Sequence, residues 1–350
     1  KQEGVYTMQK AFDIPEKKWM SDHQYSLTDI AKNGSNFLFR RQGYDEFPDL
    51  WLGNTTFSKP KQLTHANPQQ EEYQWGSVRL VKWMAYDSTE HEGMLYLPDF
   101  AEGFEPGDEN LEGHSIPMIV YFYELYSDGI NRHYYPKPTA SIVYPTEYVS
   151  NGYAVFIPDI HYTMEGEPGA SAYNSIMSGT DHILKHYPFI DSTRLGLQGQ
   201  SWGGYQTAFM VTQTDRYAAA MAGAPVSNMT SAYGGIRWGS GLARTFQYER
   251  GQSRIGVPIW DSLELYIRNS PIFHLPKVET PLLIMHNDED GAVPWYQGIE
   301  MYIGLRRLQK PVWMLNYSGD DHNLMKRANR MDLSIRMKQF FDHFLQGKEA

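Results

Sequence analysis

Hydrophobic positions along this chain follow two regimes. From Lys1 to about Asn67, apolar residues alternate with polar ones in short stretches such as FLFRRQG and DLWLGN, bounded by Gly, Asn, Pro and Ser. That period-two pattern predicts hairpin strands. SVRLVKWMAYDSTEHEGMLYLP, residues 77–98, predicts two more alternating strands around an Asp-Ser-Thr turn. The Pro-, Gly- and acid-rich stretch from Asp99 to Ser115 predicts a solvated insertion.

Beyond Ser115 the pattern changes. IPMIVYFY (116–123), YAVFIPD (153–159), RLGLQG (194–199), AAAMAG (218–223), PLLIMHN (281–287) and VWMLNY (312–317) are nearly unbroken apolar runs, as expected of strands buried on both faces. Helical stretches are predicted between them at 173–187, 202–213 and 295–309. A last one, 327–346, sets Met331, Ile335, Phe341 and Leu345 on about one face. Strands alternating with helices at this spacing predict a doubly wound, mostly parallel α/β sheet with a small amino-terminal β segment. Ligands of such sheets sit beyond the carboxyl ends of the strands.

Composition narrows the function. With 350 residues and 41% hydrophobic content the chain can fill a large core. A net charge of −10 leaves no basic stripe to follow a phosphate backbone, so nucleic acid is not an expected partner. The absence of cysteine excludes disulfides, thiolate metal sites and a cysteine nucleophile, and leaves the compartment open between periplasmic or secreted and cytoplasmic. No apolar run approaches the roughly 20 residues that span a bilayer, so no membrane segment is expected. The chain starts at Lys1 with no leader, which reads as a fragment or processed product.

The candidate chemistry centres on LQGQSWGGYQ, residues 197–206. GQSWG fits G-x-S-x-G and lies between an apolar strand and a helix, the context in which a serine is raised on a tight turn with its hydroxyl exposed. A serine hydroxyl needs an imidazole to take its proton and a carboxylate to fix that imidazole's tautomer. In this architecture the order is Ser, acid, His. MHNDEDGAVPW (285–295) offers Asp288, Glu289 and Asp290 after one buried strand, and NYSGDDHN (316–323) offers His322 after the next. Each candidate therefore emerges at the same sheet edge as Ser201. His161, His182 and His286 are read as capping, packing or solvent-facing.

At this point the chain resembles the catalytic domain of the prolyl oligopeptidase family of serine peptidases, over roughly residues 78–346. The resemblance rests on GYAVFIPD, FIDSTRLGLQGQSWGGYQT and HNDEDGAVPWYQGIEMYIGLRRLQKPVWMLNYSGDDH. It implies an α/β-hydrolase fold in which the acid motif H-G-x-x-D-x-x-V-P falls on Asp290, with Asn287 in place of the usual glycine. It also implies an oxyanion site formed by the Trp202 backbone N–H and the Tyr123 hydroxyl. Trp202, Val226, Met229, Tyr233 and Val293 would line the pocket for the side chain preceding the scissile bond. Arg237, Arg244 and Arg254 are nearby in sequence and read as surface charge, with a pocket arginine selecting acidic side chains as the minority alternative. Ala292 stands where the dipeptidyl-peptidase branch has an asparagine, which disfavours that branch.

Members of the family carry a β-propeller over the active site, and residues 36–69 resemble its last blade. The expected division is a propeller remnant at 1–70 and a hydrolase domain at 71–350, with the rest of the propeller as a missing partner. The expected function is hydrolysis of short oligopeptides without cofactor or metal. A carboxylesterase and a noncatalytic interaction protein are the alternatives, and a second copy of the chain is a further candidate partner. Adjacent acids without a helix-spaced histidine pair make HNDED a poor zinc site.

Overall fold

A computed structural model describes residues 1–7, 16–57, 59–105 and 113–349 of the chain. Part of the expected insertion, 106–112, lies outside the described residues. The centre of the fold is an eight-stranded sheet: β1 Ser77–Met84, β2 Glu90–Leu97, β3 Ile116–Tyr121, β4 Ala154–Pro158, β5 Ile190–Gln200, β6 Ala219–Gly223, β7 Leu282–Met285 and β8 Val312–Leu315. Its spatial order is β8-β7-β6-β5-β3-β4-β2-β1. β2 runs antiparallel to β1 and to β4, and every other neighbouring pair is parallel.

Eight α-helices accompany the sheet among the described residues: α1 Pro145–Val149, α2 Pro168–His186, α3 Trp202–Met210, α4 Met229–Tyr233, α5 Thr245–Glu249, α6 Leu263–Arg268, α7 Tyr296–Arg307 and α8 Arg327–Gln346. Alternate strand residues feed two cores. Met118, Val120, Leu195, Leu197, Ala220 and Ile284 face one side with Ile176 and Ile183 of α2 and Met301 and Leu305 of α7. Ile119, Tyr121, Val155, Met221, Leu283 and Met285 face the other with Tyr148 of α1 and Leu333, Met337, Phe341 and Leu345 of α8. Two covered faces explain why the sequence shows apolar runs here and not alternation.

Two expectations need correction. α2 begins at Pro168, earlier than predicted, because Glu-Pro-Gly supplies a proline suited to the first helical turn and does not prolong the loop. The buried stripe of α8 runs through Leu333, Met337, Phe341 and Leu345 at an unbroken i, i+4 spacing, whereas Met331 and Ile335 are exposed.

Ahead of the sheet, Gln24–Ile30, Asn36–Gln42, Asp49–Asn54 and Lys61–Gln62 form a four-stranded antiparallel sheet, and Glu3–Thr7 pairs with Glu16–Ser21. Tyr44 docks the four-stranded piece on the body built around the eight-stranded sheet. Its ring packs on Tyr96, its hydroxyl donates to the Trp75 carbonyl at 2.7 Å, and its own carbonyl accepts from His133 Nδ1 at 2.8 Å. No helix among the described residues is long and apolar enough to cross a membrane.

Candidate active site

The carboxyl ends of four neighbouring strands stand in one register row, Gln200, Gly223, Met285 and Leu315. Ser201, Asp290 and His322 leave from that row on the loops after β5, β7 and β8. Parallel strands thus deliver residues far apart in sequence to one edge.

Ser201 sits on the turn between β5 and α3 with φ 62° and ψ −115°, a region that costs a non-glycine residue about 1–3 kcal/mol. The turn is held by the Ser201 N–H to the Gly223 carbonyl at 2.8 Å and by the Tyr205 N–H to the Ser201 carbonyl at 2.9 Å. Two glycines make the tight geometry feasible. A side chain at 199 would run into the backbone of Gly203, and one at 204 into the carbonyl of Gly223.

Of the three adjacent acids, the fold separates Asp290 from the others. Glu289 is exposed, and Asp288, also exposed, accepts the Gly319 N–H at 2.7 Å. Asp290 has a fully buried side chain, and its Oδ2 meets His322 Nδ1 at 2.7 Å. Its Oδ1 accepts the backbone N–H groups of Ala292 and Val293, both at 2.8 Å. Burial favours the neutral acid, but hydrogen bonds from His286 and His322 outweigh it and hold the carboxyl well below its usual range. An ionised carboxylate only accepts, so the His322 proton resides on Nδ1 and Nε2 keeps a free lone pair.

His322 is tied to the serine turn through the main chain. Gln200, the residue before Ser201, donates from Nε2 to the His322 carbonyl at 2.8 Å. The Ser201 hydroxyl itself makes no hydrogen bond among the described residues. Asn287 has a specific task here: its Nδ2 donates to the Asp321 carbonyl at 2.7 Å and its Oδ1 accepts the Tyr317 N–H at 3.3 Å, stapling the acid loop to the histidine loop.

His286 was not expected at the site. Its Nε2–H is shared between Asp290 Oδ2 at 3.3 Å and the Val293 carbonyl at 3.2 Å, and its side chain is fully buried. Only the i, i+4 spacing to Asp290 hinted at this contact, a weak signal off a helix.

Around the serine, Trp202, Val226, Met229, Tyr233 and Val293 fall in one apolar cluster, with Tyr123 packed against it. All five are buried, Met229 completely. Tyr123 lies next to the α3 start, where its ring would be 3.6 Å from a Cβ at Gly203. Its hydroxyl accepts from Gln252 Nε2 at 2.9 Å. Tyr162 joins the set by accepting from Trp202 Nε1 at 2.6 Å and Gln206 Nε2 at 2.7 Å, while Gln206 also donates to the Tyr123 carbonyl at 2.9 Å. Arg254 lies 3.8 Å over the Tyr162 ring and pairs with Glu124 at 3.3 Å. Gln252 and Tyr162 carry no motif and could not be found from local spacing, whereas Arg254, read as surface charge, is partly buried here against Tyr162 and Glu124.

Comparison with known proteins places this geometry in a family. The chain is 28% identical over 273 residues to the uncharacterized peptidase YuxL of Bacillus subtilis, covering 77% of this chain and 39% of the relative. It is 29% identical over 280 residues to the acylamino-acid-releasing enzyme of Mus musculus, covering 71% of this chain and 37% of the relative. The chain thus spans less than half the length of either. Among solved structures, the acylaminoacyl peptidase of Pyrococcus horikoshii shares the α/β-hydrolase fold, with a TM-score of 0.77 at 20% identity over 99% of this chain and 53% of that one. Residues 146–348 match the family model described as prolyl oligopeptidase family. A match over more than half of the chain, ending beyond the loops that bear Ser201, Asp290 and His322, shows that the chain belongs to the prolyl oligopeptidase family of serine peptidases.

Proposed function

We propose that the chain hydrolyses peptide bonds of short peptides through an acyl-enzyme on Ser201. The observation that carries this reading is the 2.7 Å contact of His322 Nδ1 with buried Asp290 at the edge from which Ser201 also emerges. Ser201 Oγ attacks the scissile carbonyl carbon while His322 Nε2 takes its proton. The negative charge that develops on the carbonyl oxygen meets the Trp202 backbone N–H and the Tyr123 hydroxyl. Cleavage of the C–N bond passes the proton from His322 to the leaving amine. Water, deprotonated by His322, then attacks the ester and returns Ser201. Asp290 stays ionised and holds the imidazole in the tautomer with Nε2 free. The name of the mammalian relative makes peptides with an acylated first residue the first substrates to try.

The test is covalent labelling by a fluorophosphonate together with turnover of a short acylated peptide library. Wild type labels and cleaves, and Ser201→Ala does neither. Asp290→Asn, which spoils the tautomer, loses about 10³- to 10⁴-fold in kcat. A Ser201→Ala protein that still cleaves peptides at the wild-type rate overturns the reading.

A further inference from the structure

Arg244 was expected at the surface, but it is fully buried. Its Nη1 donates to the Ala292 carbonyl, and its Nη2 donates to the Tyr248 hydroxyl at 3.1 Å. Its buried Nε–H has no hydrogen-bond partner, and no carboxylate lies within ion-pair distance among the described residues. Arg237 and Arg254 differ: the first reaches Gln247 at 3.3 Å, and the second is partly exposed and paired with Glu124. A desolvated guanidinium is strongly disfavoured unless a negative partner is present, so structural arginines at such depth are normally paired.

Its position makes the missing counter-ion informative. Tyr248 belongs to the apolar cluster that also holds Trp202, Val226, Tyr233 and Val293. Ala292 precedes Val293, and the N–H groups of both hold Asp290. The cation therefore borders the apolar wall beside the reacting residues, with an unused N–H on a fork that matches a carboxylate.

We propose that Arg244 reads a carboxylate on the substrate: the residue whose carbonyl Ser201 attacks carries an acidic side chain, Asp or Glu, that pairs with the guanidinium. The proposal rests on the peptidase reading of the site and names its substrate class. With a net charge of −10 the protein does not draw acidic peptides from a distance, so selection comes from contact. Binding has to displace what covers the guanidinium. Part of that cover is the segment at Gly235, whose carbonyl accepts the Arg244 N–H and where a Cβ would lie 3.2 Å from Arg244 Cδ. The segment leads into a hairpin held by two register pairs, Ile236 with Ala243 and Arg237 with Leu242, a light element to move.

The experiment compares matched acylated peptides with Glu, Gln or Leu before the scissile bond. Wild type is expected to favour Glu over Gln by about 10- to 100-fold in kcat/KM, the range of one charge-assisted hydrogen-bonded contact. Arg244→Met brings that ratio to about one, and Arg244→Lys, which keeps the charge without the fork, falls between. Binding of acetyl-Ala-Ala-Glu and acetyl-Ala-Ala-Gln to Ser201→Ala reads the pocket without turnover and without any change at 244, with the Glu peptide tighter. Wild-type preference for Leu or Gln, equal binding of the two peptides, or an equal loss on all three substrates in Arg244→Met overturns the proposal. The last result would make Arg244 a clasp on the Ala292 turn. If Ser201 resists the fluorophosphonate, the peptidase reading falls, while the binding comparison still decides the pocket.

Discussion

Gln200 Nε2 donates to the main-chain carbonyl of His322 at 2.8 Å, so the residue before the serine holds the residue that carries the imidazole. The bond joins the end of β5 to the loop after β8, two strands that β6 and β7 separate. Gln200→Leu keeps the volume and deletes the donor. The expected result is a loss of stability of about 1–3 kcal/mol, from an unpaired carbonyl, and a fall in kcat with KM little changed. Urea melts and steady-state kinetics on one acylated peptide check both.

Gln252 and Tyr123 form a second coupled pair. Gln252 Nε2 fills an acceptor position on the Tyr123 hydroxyl, which leaves the phenol proton to point elsewhere. If that proton meets the oxyanion, Tyr123→Phe loses about 10²- to 10³-fold in kcat. Gln252→Leu then loses less, and adds almost nothing when placed on Tyr123→Phe. A double-mutant cycle on kcat measures this. Independent, additive losses would separate Gln252 from Tyr123.

The depressed titration of Asp290 has a defined sign. Its folded-state value lies below the unfolded value of about 3.9, so its contribution to stability is complete above that value and is lost as pH falls toward the folded one. Relative to Asp290→Asn, wild type should therefore lose urea-midpoint advantage only below about pH 4. Parallel urea titrations of the two proteins from pH 7 to pH 3 check it. An advantage that disappears between pH 7 and pH 5 would contradict the geometry around Oδ2.

The sheet was legible because two covered faces impose apolar runs, and the three site loops were legible because parallel strands end together. Asp290 was separable from Asp288 and Glu289 only through the family motif, since three adjacent acids look alike until burial distinguishes them. The α8 face was misread because Met331 and Ile335 are apolar yet exposed, while Leu333 and Met337 carry the buried stripe. Tyr162 and Gln252 escaped notice because their roles come from contacts across the fold, without local spacing, and Arg254, read as surface charge, takes its place from the Tyr162 ring and Glu124. Arg244 was misplaced because arginine is ordinarily a surface residue, and only the packing of Tyr248 and Ala292 around it reveals its depth.

The backbone at Ser201 also opposes reactivity to durability. Ser201→Ala removes the hydroxyl but keeps the Cβ strain of the positive-φ turn, whereas Ser201→Gly removes the hydroxyl and relieves that strain, so the glycine protein should resist urea better than the alanine protein by about 1 kcal/mol. The strain at this one position is thus a cost in stability that the fold carries for the sake of how the side chain at 201 is presented.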